Sequence, residues 1–112
     1  MDALTTDQLL REIQILCAQH AFVKHIEQRL IDVDILDVRL QISPNSFISV
    51  FYNLKTDKTA FALIQNGQRS YGIDNAKMGW HEHPFGAPER HEPCEPTALG
   101  EFLTQVARHL KS

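Results

Sequence analysis

The first periodicity along the chain is helical. Leu9, Ile13, Leu16 and Cys17 recur at spacings of three and four behind Thr5-Thr6-Asp7-Gln8, where a hydroxyl or carboxylate can accept from an otherwise unpaired first-turn N–H. This predicts an amphipathic helix over about residues 5–20, its apolar stripe packed on a sheet. From Phe22 to Ile42 the period becomes two: Ile31, Val33 and Ile35 alternate with Asp32 and Asp34, then Val38, Leu40 and Ile42 with Arg39 and Gln41. The phase slips once, at Leu36-Asp37, a slip that a β-bulge or a bend would absorb. The close aspartates read as solvated residues that guard an outer strand face, not as metal ligands.

Ser43-Pro44-Asn45-Ser46 is a turn cluster, and Phe47 to Leu54 is a strand rich in β-branched and aromatic residues. Lys55 to Lys58 turns the chain, Thr59 to Gln65 forms the next strand, and Asn66-Gly67 is a hairpin dipeptide suited to positive φ. Gln68 to Ile73 returns. Strands within residues 22–74 joined by such short turns predict an antiparallel meander of four to five strands. Residues 74–96 break the pattern with Gly79, Gly86 and three prolines ahead of Pro96, and so predict an irregular, exposed loop. Pro96 or Thr97 then opens a second helix to about residue 111, with Leu99, Phe102, Leu103, Val106 and Leu110 on its core face. Arg108, His109 and Lys111 meet the negative end of its dipole. The expected architecture is α+β: one domain over residues 1–112, with an N-terminal and a C-terminal helix packed on the meander.

Composition narrows the function classes. The 112 residues are 43% hydrophobic and 22% charged, values that suit one packed core and argue against long disorder. A formal net charge of −3 disfavours a broad basic face for duplex nucleic acid while leaving room for a local cluster. Cys17 and Cys94 suggest no disulfide framework, and the first residues lack a basic start and a long apolar run, so a soluble cytoplasmic protein with no membrane partner is expected.

Candidate chemistry gathers between Tyr71 and Cys94. His81 and His83, one residue apart, share a face of any extended segment, roughly 7 Å from each other, with Glu82 pointing away. With His91 and Cys94 they form H-x-H-x7-H-x2-C, four nitrogen or sulfur donors of the kind zinc accepts, at a spacing no standard finger shares. The same imidazoles suit acid–base catalysis without a cofactor, one removing a proton while another supplies it. RNA cleavage by its own 2′-hydroxyl needs such a pair, with Asp74 orienting an imidazole and Arg69, Lys77 or Arg90 holding phosphate. Against both stands a plainer role, in which the histidines bond backbone carbonyls while Trp80 and Phe85 anchor the loop. Asp74-Asn75 can likewise close a turn. Tyr71 and Trp80 are candidates for base stacking, although buried anchors of this kind are commoner. His20 and His25 read as structural.

The helix, meander, Asp74-Asn75, histidine-rich loop and closing helix together resemble the TumE-like toxins of bacterial and archaeal toxin–antitoxin modules. The likeness covers most of the chain in layout and Arg69 to His91 in residues. Asp74 and Asn75 match that family's Asp-Asn directly; Ile73 replaces its preceding aromatic, and His81-Glu82-His83 stands where adjacent histidines are usual. His91 corresponds to its downstream histidine. The resemblance implies a toxin with a protein antitoxin as partner. Histidine chemistry adds RNA as the expected substrate, with His81, His83, His91, Asp74 and Asn75 as catalytic candidates. The alternative is a non-catalytic domain whose loop zinc stiffens for protein binding. A homodimer is compatible with either.

Overall fold

The computed structural model describes residues 4–76 and 79–111. Helix α1 spans Thr6–Ala18 behind a reciprocal cap: the Thr5 hydroxyl accepts from the Gln8 N–H, and the Gln8 side chain accepts from the Thr5 N–H. Seven strands follow: β1 His25–Ile31, β2 Ile35–Ser43, β3 Ser46–Asn53, β4 Lys58–Gln65, β5 Gln68–Asp74, β6 His81–His83 and β7 Glu92–Pro93, with helix α2, Leu99–Lys111, last. They pair antiparallel in sequence order in one sheet. Among the described residues no helix is long and apolar enough to cross a membrane.

The α+β meander with a helix at each end is therefore present, with seven strands where the periodicity predicted four to five. One extra strand comes from residues 22–42, which form a hairpin. Asp32 turns the chain there, its carboxylate accepting from the N–H groups of Asp34 and Ile35. The break thus lies ahead of Leu36-Asp37, and alternation simply continued across a turn that its own aspartate closes. The register does slip inside β1, between Gln28 and Leu30. The other two additions, β6 and β7, come from residues 74–96: a three-residue and a two-residue strand are too short to show a period. Asn66 and Gly67 have φ of 53° and 78°, as the β4–β5 hairpin turn requires.

Both helices cover the same sheet face. Leu9, Ile13 and Cys17 of α1 and Phe102, Leu103 and Val106 of α2 share a core with Val38, Leu40, Ile48, Val50, Phe61 and Leu63. Truncating either fully buried ring, Phe61 or Phe102, would cost about 3–5 kcal/mol. Helix α2 opens at Leu99, two residues beyond Thr97, where the Glu101 carboxylate accepts from the Ala98 N–H. Leu110 lies outside the core, 37% exposed on the last turn.

A β-bulge sets what the uncovered face carries. Leu63 pairs with Tyr71 but Ile64 pairs with Arg69, leaving Ser70 as the extra residue, its hydroxyl donating to the Gln65 side chain. Tyr71 therefore faces the helices, while Arg69, two residues earlier, faces away from them.

Candidate metal centre

Across β5 and β6, Gly72 pairs with His83 and Asp74 with His81. These four share the face opposite the helices, since Ile73 between them is core. His91, just ahead of β7, completes the group. The ring centroids of His81, His83 and His91 lie 4.5–5.1 Å apart in all three pairings. One ligand nitrogen from each falls within 4.8 Å of the other two. A hollow of about 500 Å3 opens above them, lined also by Arg69, Asp74, Ala76, Trp80 and Pro93.

Gly72 lets His83 lie flat on the sheet. A Cβ there would meet the Arg69 Cδ at 3.1 Å, the Phe61 carbonyl at 3.3 Å and the His83 ring at 3.5 Å. Missing from the candidates drawn from sequence, it had one visible signal: a glycine inside a strand often marks close approach. The segment above His83 folds through turns closed by Ala87 N–H to Pro84 O and Arg90 N–H to Ala87 O. Arg69 pins it by donating to the Pro88 carbonyl at 3.1 Å. On the helix side Phe85 is sandwiched between Tyr71 and His109, at centroid distances of 4.0 and 3.9 Å.

Asp74 joins the two β6 imidazoles. Its Oδ1 lies 3.1 Å from His81 Nε2 and its Oδ2 lies 3.3 Å from His83 Nε2, while Oδ1 also accepts from the Ala76 N–H. His81 Nδ1 lies 3.1 Å from the Gly79 carbonyl, an oxygen that only accepts, so the imidazole proton belongs on Nδ1. Its Nε2 lone pair then confronts a carboxylate oxygen, an arrangement that calls for a proton between them or a metal ion beside them. His83 differs. Only 2% exposed, it donates from Nε2 to Asp74 and leaves Nδ1 buried with no partner. Burial, then the neighbouring Arg69 charge, pushes its pKa below the ordinary histidine value against the pull of Asp74, so it stands neutral with a lone pair on offer.

Three neutral-capable imidazoles suit zinc-class ions. Tetrahedral bonds of about 2.0–2.1 Å require nitrogens roughly 3.4 Å apart, so the rings must draw together by about an ångström. Exposed His91, beside a two-residue strand, can supply that motion. The backbone already restrains His81 through Nδ1, and Asp74 restrains His83 through Nε2, the outer bonds that orient metal-binding imidazoles.

The other candidates separate. Cys94 follows Pro93, which pairs with His81, so alternation turns the thiol to the helix side, where it packs on the core. It is not a fourth ligand, and burial with nearby Glu82 and Glu95 raises its pKa. Asn75 is structural: its Oδ1 accepts from the Thr59 N–H and its Nδ2 donates to the Asp57 carbonyl, both at 2.8 Å. Tyr71, 3% exposed, stacks between Phe85 and Phe102 and presents no free ring face to a base. Arg90 pairs at the surface with Glu92 at 2.6 Å and does not line the hollow. Trp80 packs against the core and borders both the histidine hollow and a cleft between the helices and the sheet. Arg69 borders the hollow; Lys77 lies outside the described residues. Comparisons with protein families, with curated proteins and with solved structures find no match to this chain.

Proposed function

We propose that the chain holds a zinc-class divalent ion on His81, His83 and His91 and uses it to cleave RNA, as the toxin of a toxin–antitoxin pair held in check by a protein antitoxin. The observation that carries the metal is the convergence of three imidazoles around His83, whose buried Nδ1 has no partner. A buried polar atom without a partner costs about 1–3 kcal/mol, a cost that a ligand there would remove. Three nitrogen ligands beneath an open hollow match the plan of catalytic sites, where a water completes the shell. A bound ion supplies an activated water and a Lewis acid. Arg69, exposed at the rim, offers a planar donor pair to a phosphate. The toxin role rests on the resemblance carried by Asp74, Asn75 and the histidines.

A second reading has its own observation, the 3.1 Å approach of His81 Nε2 to Asp74. With a proton in that gap and no ion beside it, His81 is the acid of a metal-free cleavage and His91 the base.

The experiment is elemental analysis of untagged protein, zinc affinity by chelator competition, and growth after induced expression. Near-stoichiometric metal, growth arrest by the native protein, and at least tenfold weaker zinc binding in His91→Ala are expected, with Cys94→Ser within about twofold of native. Arrest by protein that neither carries nor binds zinc would favour the metal-free reading. Normal growth despite abundant folded native protein would sink the toxin role.

A further inference from the structure

The uncovered face of the sheet continues away from the histidines as a trough. Glu27, Arg39, Ser49, Ala62, Gly72 and His83 are successive cross-strand partners, so one straight row crosses six strands. Its middle, Ser49, Ala62 and Gly72, is floored by the smallest side chains. Phe47, Ile64 and Arg69 form the row on one side, and Asp37, Phe51, Ala60 and Asp74 the row on the other. A groove of about 440 Å3 at the far end is lined by Arg29, Arg39, Phe47 and Arg69 among others, and Arg69 also borders the histidine hollow. From Arg39 on β2 to His83 on β6 is four strand spacings, roughly 19 Å.

We propose that this trough binds single-stranded RNA, threading two or three nucleotides from Arg39 to the histidines. The assignment rests on the nuclease reading above and supplies its substrate track. Two features favour RNA as occupant. The Arg39 guanidinium lies over the Phe47 ring, 4.4 Å from its centroid, a flat cationic and aromatic platform of the kind on which unstacked bases rest. Two of the three register slips also bring arginine to this face: Arg29 is the extra residue of the slip in β1, and the bulge in β5 turns Arg69 outward. The acids in these rows are Glu27, Asp37 and Asp74; Glu27 is engaged by Arg29 at 3.4 Å, and Asp74 lies against His81 and His83. A trough floored by small side chains and edged by arginine and phenylalanine accepts bases and phosphates together, and it ends at the chemical groups.

The test is fluorescence anisotropy with a labelled, uridine-rich, 2′-O-methyl RNA of about eight nucleotides, in chelator, so that neither metal-dependent nor 2′-hydroxyl cleavage occurs. Native protein is compared with Arg39→Ala, Phe47→Ala and Ala62→Phe, each checked for an unchanged melting temperature. Native protein should bind with an affinity that falls as salt rises. Arg39→Ala should weaken binding about tenfold and lower the salt dependence by about one phosphate contact; Ala62→Phe, which fills the floor, should weaken it at least as much. Equal binding by native and variant proteins, or none by native protein, would overturn the track. So would sedimentation showing a native dimer that Ala62→Phe disrupts, since the face would then serve self-association. Zinc affinity on the same samples separates the two ideas: zinc binding without RNA binding refutes the track alone, and RNA binding without zinc binding supports the track while removing the metal.

Discussion

Replacing His83 by leucine, a side chain of similar volume, separates a residue kept for chemistry from one kept for structure. Without metal, the substitution removes the hydrogen bond to Asp74, worth about 1.5–3 kcal/mol for a charged acceptor. The lower end applies, because the Asp74 side chain is 18% exposed and retains the Ala76 N–H, so water can replace the imidazole. The same substitution removes a buried Nδ1 with no partner, whose desolvation costs about 1–3 kcal/mol. The two terms nearly cancel. His83→Leu in chelator should therefore melt within about 5 °C of the native protein, given roughly 4–8 °C per kcal/mol for a chain of this size. Zinc breaks the symmetry. At a hundredfold excess over its Kd, an ion that binds only the folded state adds about 2.7 kcal/mol, roughly 10–20 °C in melting temperature, and His83→Leu should forfeit most of that gain. Thermal denaturation of both proteins, with chelator and with zinc, reads all four values. A loss above about 3 kcal/mol in chelator would make the ring a structural support, and an equal zinc shift in both proteins would remove His83 from the metal site.

Two further outcomes test the surroundings. Asn75→Ala strips the Thr59 N–H and the Asp57 carbonyl of their partners and should cost about 1–2 kcal/mol in urea unfolding, while zinc affinity stays native; a large fall in zinc affinity would return Asn75 to the site. Tyr71 has its pKa raised from 10.0 to about 12, first by burial and then by Glu82 and Cys94. The folded state thus holds the phenol proton more tightly than the unfolded state, so stability is fully present below pH 10 and lost as pH rises toward 12. The loss is on the order of 2–3 kcal/mol, and Cys17, raised to about 11, and Tyr52, raised by burial, add to it. Tyr71→Phe, which keeps the stack on Phe85 and Phe102, should lose less stability than native protein between pH 9 and 11.5, and parallel losses would refute the assignment.

Sequence patterning located the elements whose contacts are local or periodic. Thr5 and Gln8 announce α1 through a cap that spans three residues, and Asn66-Gly67 announces a hairpin through backbone conformation alone. The same patterning misread Asp32, because a turn closed by a carboxylate leaves the alternation of Ile31, Val33 and Ile35 intact on either side. Arg69 and Tyr71 illustrate a deeper limit. Two residues apart in a strand, they belong on one face by period, and the Ser70 bulge sends one to the uncovered face and the other into the core. The pairing of His81 and His83 on one face was legible because β6 is extended, and for the same reason Cys94 falls on the other face, since Pro93 is in register with His81. The contact of His91 with both was not legible, as it depends on two successive turns over Gly72.

The position of the site follows from how the sheet ends. β6 and β7 are too short to be stable as a free ribbon, and three devices hold them. The Phe85 ring is clamped between Tyr71 and His109, the Cys94 N–H donates to the Trp80 carbonyl, and Arg69 grips the Pro88 carbonyl from the opposite face. All are anchored to the core or to β5, and His91, exposed just ahead of β7, lies between the Pro88 and Cys94 contacts. That division suits a ligand site. His81 and His83 are held by Gly79, Asp74 and the backbone of β6, and the third imidazole is exposed. Arg69 joins the two parts of this arrangement: its guanidinium donates to the Pro88 carbonyl of the loop, and its Cδ would lie 3.1 Å from a Cβ added at Gly72.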